Sequence, residues 1–255
     1  MTRKHGHWLQ HVWRLAALTA LSLAMLQLMF GLRVALMAVV DPQSTSFQRS
    51  EAWRLLSEQQ RVAWAQEWVD IARISPQLQR AVIASEDAGF SDHSGVEWDA
   101  IEKAWQKNQQ NQARADRQLQ RQPERQASRP VSARVVGGST ITQQLAKNLF
   151  LSGERTVVRK AQELVLTLML ETLLSKQRIL EIYLNNVEWG EGRFGAQAAA
   201  RYYFRVDAAR LGAEPAARLA VMLPAPKRFE KRPASPYILG RAATVMARMN
   251  AVDLP

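Results

Sequence analysis

The 18 residues from Leu15 to Leu32 limit this chain more than any other stretch, because their only polar members are Thr19, Ser22 and Gln27. Apolar character resumes after Arg33 and runs to Val40. A helix of that length and composition can cross a bilayer, where a spanning segment has to satisfy its own backbone polar groups. A secretory signal would show a shorter apolar core followed by a small-residue cleavage site such as Ala-x-Ala, and no clear site of that kind follows. Residues 15–40 are therefore expected as an uncleaved transmembrane anchor. Arg3, Lys4 and Arg14 precede it, so the positive-inside tendency places residues 1–14 in the cytoplasm and everything beyond about residue 40 outside it. The chain has no cysteine, which any redox compartment permits.

With 255 residues, 47% of them hydrophobic, there is material for one or two domains with a sizeable core. The net charge of +11 suggests nucleic acid until its distribution is considered. Between Lys103 and Arg134, eight basic residues face only Asp116 and Glu124, a local excess of +6. That segment is rich in Gln and poor in large apolar residues, so it is expected to be a mobile loop or frayed helix. Such a segment reads first as a solvated linker; outside the cytoplasm and next to an anchor, it also suits anionic lipid head groups or a phosphate-bearing substrate, and not nucleic acid.

The patterning beyond the anchor is helical, with no run of period-two alternation. Residues 41–74 read as a membrane-proximal stalk, residues 75–230 as one all-α domain, and residues 231–255 as a C-terminal helix. Ser75-Pro76 marks a helix start, and that helix is expected to reach about Asp87. Further helices are expected over 96–108, from 139, over 156–183, and over 195–204 and 213–223. The apolar run Leu164 to Leu170, interrupted only by Thr167, predicts enclosure of the long helix on most sides.

Gly137-Gly138-Ser139-Thr140 opens into a helix whose first turn is polar. The paired glycines allow close backbone approach, Ser139 or Thr140 can cap the helix, and a helix N-terminus favours negative charge. Ile141, Leu145 and Leu149 form the stripe expected to be buried, leaving Gln143, Gln144, Lys147 and Asn148 for the remaining surface.

Glu86 falls at a helix C-terminus beside Asp87, where both the macrodipole and the like charge raise a carboxylate's pKa, as suits a general base. Glu163 follows Arg159 by four residues and precedes the apolar run. Lys147, Arg155, Arg159 and Lys160 supply cations near it in sequence. A carboxylate base, a second carboxylate, several cations and an anion-ready helix start suit a reaction on a glycosyl diphosphate. Its leaving group requires charge neutralisation and not a general acid.

The blocks Glu86 to Gly95, Gly137 to Phe150, Arg159 to Glu163, and Tyr183-Leu-Asn through Gly195 and Ala198 to Phe204 together resemble the ordered motifs of the peptidoglycan glycosyltransferases. The likeness is closest to the monofunctional biosynthetic transglycosylases of Gram-negative bacteria, and it covers about residues 75–228. It implies a lysozyme-like helical fold, a place in the bacterial inner membrane with the catalytic domain in the periplasm, and polymerisation of lipid II with release of undecaprenyl diphosphate. Glu86 would deprotonate the acceptor 4-hydroxyl, which attacks the donor's anomeric carbon with inversion to form a β-1,4 link. Lys147 and Arg155 would steady the diphosphate, and Glu163 would be the second essential carboxylate. Ser139, Thr140, Gln143 and Gln144 would line the donor site, with Arg159 and Lys160 at its rim. The implied partners are lipid II, the growing glycan strand, inner-membrane lipids, and cell-wall synthesis and division proteins.

Two departures from the family pattern stand out: Glu97 where the family often has Asp, and a longer Gln/Arg-rich segment, which puts acceptor handling in doubt. The sequence holds no Ser-x-x-Lys, so no transpeptidase activity is expected. It has no Asp-x-Asp element either, so the donor need not be a nucleotide sugar; no cofactor is expected to be required, and magnesium or manganese is able to bridge a diphosphate. Two other readings fit a helical domain with one catalytic Glu: a lysozyme-like muramidase that cuts the same glycan, and a non-catalytic, membrane-anchored scaffold. The cation set argues against the muramidase, since hydrolysis of an uncharged glycosidic bond does not call for it.

Overall fold

A computed structural model describes residues 3–121, 138–151, 153–154 and 156–255. The expected anchor is α1 (Arg3–Leu36), within which Gln10–Leu36 is long and apolar enough to cross a membrane. Its last turns do more than tether. Val34 and Met37 are buried in the domain core, and Arg178 donates to the Met37 carbonyl at 2.8 Å and to Asp41 at 2.7 Å. Gln27, the polar residue in the middle of the run, exchanges amide hydrogen bonds with Gln162 at 2.8 and 3.1 Å.

Residues 41–74 do not form a stalk. They include α2 (Ser46–Gln59), started by a reciprocal capping box between Thr45 and Gln48, and they place Leu55, Val69 and Ile74 in the interior. A short sheet, which periodicity did not announce, joins this segment to the rest. Its strands β1 (Ala65–Gln66), β2 (Glu188–Gly190) and β3 (Arg193–Phe194) are too short to show alternation, and β3 lies between the other two. Gly192, in the turn between β2 and β3, has φ +68°. A Cβ there would fall 1.9 Å from the Ala63 carbonyl oxygen, so only glycine fits.

The α-helical expectation otherwise holds in class and differs in detail. Ser75 caps α3 (Pro76–Glu86) with Pro76 at its first position. The helix expected over 96–108 runs on as α4 (Trp98–Arg121) through half of the basic segment. Gln, Lys, Arg and Ala are good helix formers, and no breaker interrupts them there. Residues 122–134 of that segment lie outside the described residues.

After α5 (Ile141–Phe150), the single helix expected over 156–183 proves to be two, α6 (Val157–Leu173) and α7 (Lys176–Asn186). Ser175 caps the second by accepting from the Arg178 amide at 3.2 Å. The apolar pattern carries across the break and hides it. Nor is α6 enclosed on most sides: Leu168 is 49% exposed, Val157 and Val158 are 87% and 80% exposed, and α1 packs along the same helix. The apolar run continues the lipid-suited surface of the anchor where a water-covered helix would be polar.

The enclosed helix is α7, whose residues from Ile179 to Asn186 are all buried. Around the core lie α8 (Ala196–Phe204), α9 (Ala213–Met222), the single turn α10 (Pro226–Phe229) and α11 (Pro236–Met249). Helices α3, α9 and α11 pack against one another, so the C-terminal helix is integral to the core that carries Glu86. Asn185 on α7 donates to the Val69 and Glu181 carbonyls and accepts from the Val69 amide, each at 2.9 Å, tying the early segment to the centre.

Candidate active site

Helix α3 ends at Glu86 because Asp87, with φ −164°, turns the chain away while its amide still bonds to the Ile83 carbonyl. The Glu86 carboxylate is half-buried and accepts from Gln144 Nε2 at 3.0 Å, and Gln144 Oε1 accepts from the Tyr183 hydroxyl at 2.9 Å. This relay fixes the amide's orientation, so one Glu86 oxygen is held while the carboxyl stays basic. Burial is the main cause that pushes the Glu86 carboxyl up. The Gln144 bond opposes it and Asp87 repulsion adds to it. The helix end and Asp87 are visible in the sequence; burial, the larger cause, is not. Tyr183, fully buried and beside both carboxylates, is held far above the ordinary phenol value and remains a donor.

The start of α5 is not an open anion cradle. Asp87 Oδ2 accepts from the Ile141 amide at 2.9 Å, while Thr140 and Gln143 satisfy each other's amides in a capping box. The helix dipole is thus answered by a carboxylate of the protein itself. Thr140 is buried, and its hydroxyl donates to the Gly95 carbonyl at 2.6 Å. Gly95, at φ +84°, leaves no room for a Cβ, which would lie 2.7 Å from Glu171 and 2.8 Å from Thr167. Gly137 lies outside the described residues.

Asp87, His93 and Glu97 bring potential metal-ligand atoms within 4.8 Å of one another. Their hydrogen bonding does not fit that use. His93 Nδ1 accepts from the Gly95 amide at 3.0 Å, which puts the proton on Nε2, and Nε2 bonds to Asp87 Oδ1 at 2.8 Å. Both ring nitrogens and both Asp87 oxygens are therefore engaged, leaving the imidazole no free lone pair for a cation.

A cleft of about 600 Å³ opens beside this network. Ser139, Gln143, Gln144, Lys147, Arg159, Lys160 and Glu163 line it, so seven of the residues singled out from sequence come together. Gln143 is buried and not on the surface as expected. Thr140 lies behind the wall, Glu86 reaches the cleft through Gln144, and Arg155 lies outside the described residues.

Glu163 is only 4% exposed, and both of its oxygens are taken by cations, Lys160 Nζ at 2.5 Å and Arg159 Nη1 at 3.1 Å. The pairing holds the two basic side chains at the cleft against their own repulsion. Arg159 Nε is buried with no acceptor, a donor that an entering anion can satisfy. Lys147 faces the opening. Loss of surrounding water pushes its ammonium below the usual lysine value, with Arg159 and Lys160 reinforcing the shift and Glu163 opposing it.

Sequence reasoning did not single out a further part of the wall, made by Phe47 and Ser50 of α2, Val187 and Glu188 at the junction of α7 and β2, and Leu223, Pro224 and Pro226 leading into α10. No spacing connects these three segments before they fold. Gln144 was identified as a binding residue, but its partner Tyr183 was noted only as part of a motif.

Comparison with known proteins places these features in context. The sequence profile of the Transglycosylase family matches residues 54–118 and 123–250. The chain is 50% identical over 256 residues to the biosynthetic peptidoglycan transglycosylase of Burkholderia thailandensis, covering 100% of this chain and 91% of that protein. It is 52% identical over 229 residues to the protein of the same name from Burkholderia pseudomallei, covering 90% and 82%. It is 50% identical over 215 residues to that from Bordetella avium, covering 84% and 83%.

Proposed function

The chain belongs to the transglycosylase family, and on that premise we propose that it polymerises peptidoglycan glycan strands from lipid II, with Glu86 as the base. Glu86 takes the proton of the acceptor's sugar 4-hydroxyl. The freed oxygen attacks the anomeric carbon of the donor strand from the face opposite its diphosphate. One C–O bond forms, the bond to undecaprenyl diphosphate breaks, and the product is a β-1,4 link of inverted configuration. The leaving group already carries negative charge, so the site has to neutralise it and need not protonate it. Lys147, Arg159, Lys160 and Arg155 take that part.

One observation carries this reading: an acid-clamped pair of cations with an unsatisfied Arg159 donor shares a cleft with the glutamine that holds Glu86. A muramidase would need a protonated acid over a neutral glycosidic bond and has no use for that concentration of positive charge. Lys147 lines the same cleft, which supports the assignment, because its ammonium stands where an arriving diphosphate can reach it. Magnesium or manganese bridging the diphosphate would add to these side chains, and the reading does not require it. The apolar span and the basic residues ahead of it support a single-pass anchor in the inner membrane, N-terminus inside and cleft outside. That topology brings a lipid-borne substrate to the cleft by lateral diffusion.

Glu86→Gln tests the assignment. It keeps the shape and the Gln144 contact but cannot accept the proton, so polymerisation in the purified full-length protein is expected to fall by roughly 10²–10⁴-fold while the thermal transition stays. Activity within about threefold of the parent would remove Glu86 from the chemistry.

A further inference from the structure

Glu188 is 6% exposed, lines the cleft and has no hydrogen-bond partner for Oε1. Unpartnered buried carboxylate oxygens are rare because water is lost without compensation. Around it is a wall suited to sugar. Phe47, set edge-on to Phe194 at 6.3 Å, keeps part of its ring open to the cleft, and the exposed Ser50 stands beside it. An apolar ring face takes sugar C–H groups, and a carboxylate takes hydroxyl or amide N–H groups. We propose that Glu188, with Phe47 and Ser50, is a sugar subsite whose ionised carboxylate accepts hydrogen bonds from a hydroxyl or acetamido N–H of the glycan strand. It sets strand affinity and leaves the chemical step to Glu86. The inference rests on the polymerase reading above.

The charged surroundings poise this carboxyl. Burial pushes it up to about 7; Lys227 and a hydrogen bond from the Gly192 amide oppose that, while Glu51 and Glu230 add to it. Lys227 lies 3.8 Å away but is bonded to Glu51 at 2.5 Å, and Glu51 is also paired with Arg54. Arg54 in turn holds Glu191, and Arg193 holds Glu230 at 2.8 Å. The Tyr203 hydroxyl donates to the Trp189 carbonyl, and Lys147, Arg159, Lys160 and Glu163 share the same cleft. Lys227, Arg54, Arg193, Arg159 and Lys160 each hold a carboxylate other than Glu188 at closer range, which leaves Glu188 Oε1 open to a ligand. Because the strand binds the ionised form, its affinity should rise with pH through about 7.

The test uses the full-length protein in detergent in the Glu86→Gln background, where turnover is blocked. The probe is a labelled tetrasaccharide of the glycan repeat on undecaprenyl diphosphate. Its affinity is expected to be about fivefold tighter at pH 8 than at pH 6. Adding Glu188→Gln should abolish that slope and leave affinity near the pH 6 value. Adding Lys227→Met instead should move the midpoint upward, since it removes the cation that favours ionisation. In the otherwise unchanged enzyme, Glu188→Gln should raise KM severalfold and keep kcat within about twofold. The same pH slope with and without Glu188, or a fall in kcat at constant KM, would overturn the subsite. Failure of the Glu86→Gln protein to bind the probe at any pH would instead refute the polymerase reading on which the subsite depends.

Discussion

At the scale of single residues, the cleft is governed by which polar atoms already have partners. Gln144 is committed to Glu86 and Tyr183, and Asp87 to His93 and Ile141, so these groups position and do not react. Arg159 Nε and Glu188 Oε1 have no such commitment. The Glu188 site has a signature in stability. Its carboxyl titrates near 4.5 when unfolded and about 7 when folded, so folding favours the protonated form. The stability this brings is complete below pH 4.5 and is lost as pH rises through 7. Glu188→Gln is therefore expected to raise the melting temperature at pH 8 relative to the parent, by an amount corresponding to at most roughly 3 kcal/mol, and to change it little at pH 5. Calorimetry at the two pH values checks this. A larger gain at pH 5 would contradict it. None of this was legible in advance, since burial is a property of three segments meeting. Glu86 was legible because a helix end and an acidic neighbour are both local facts.

At the scale of elements, local signals are legible in the sequence and tertiary ones are not. The stripe Ile141, Leu145 and Leu149 is buried, and the cap fell to Thr140, one of the two candidates. One donor of that helix start is taken by the protein itself, because Asp87, 54 residues away in sequence, occupies the Ile141 amide. The break at Ser175 went unseen because apolar spacing continues through it. The exposed apolar side of α6 has the sequence pattern of core, because an apolar run has the same pattern whether protein or lipid covers it. The link between α1 and α6 supports a prediction at this scale. Gln27→Leu would strand the Gln162 amide against an apolar surface and loosen the anchor by about 1 kcal/mol. Faster amide exchange in α6 of the membrane-embedded variant is expected, with rescue by Gln27→Leu combined with Gln162→Leu. Unchanged exchange in the single variant would show the amide pair to be incidental.

At the scale of the whole molecule, the anchor, the exposed side of α6 and the cleft form one arrangement. The last turns of α1 are part of the core, so the spanning helix and the cation-bearing start of α6 are held in a fixed relation. A substrate whose tail stays in the bilayer needs that relation more than it needs a deep pocket. The measurement that bears most directly on the account is incubation of the purified full-length protein with labelled lipid II, followed by separation of the glycan strands. The parent protein should yield glycan polymers with release of undecaprenyl diphosphate, and Glu86→Gln should yield none above background. Absence of polymer from the parent, or shortening of preformed strands in place of growth, would contradict it.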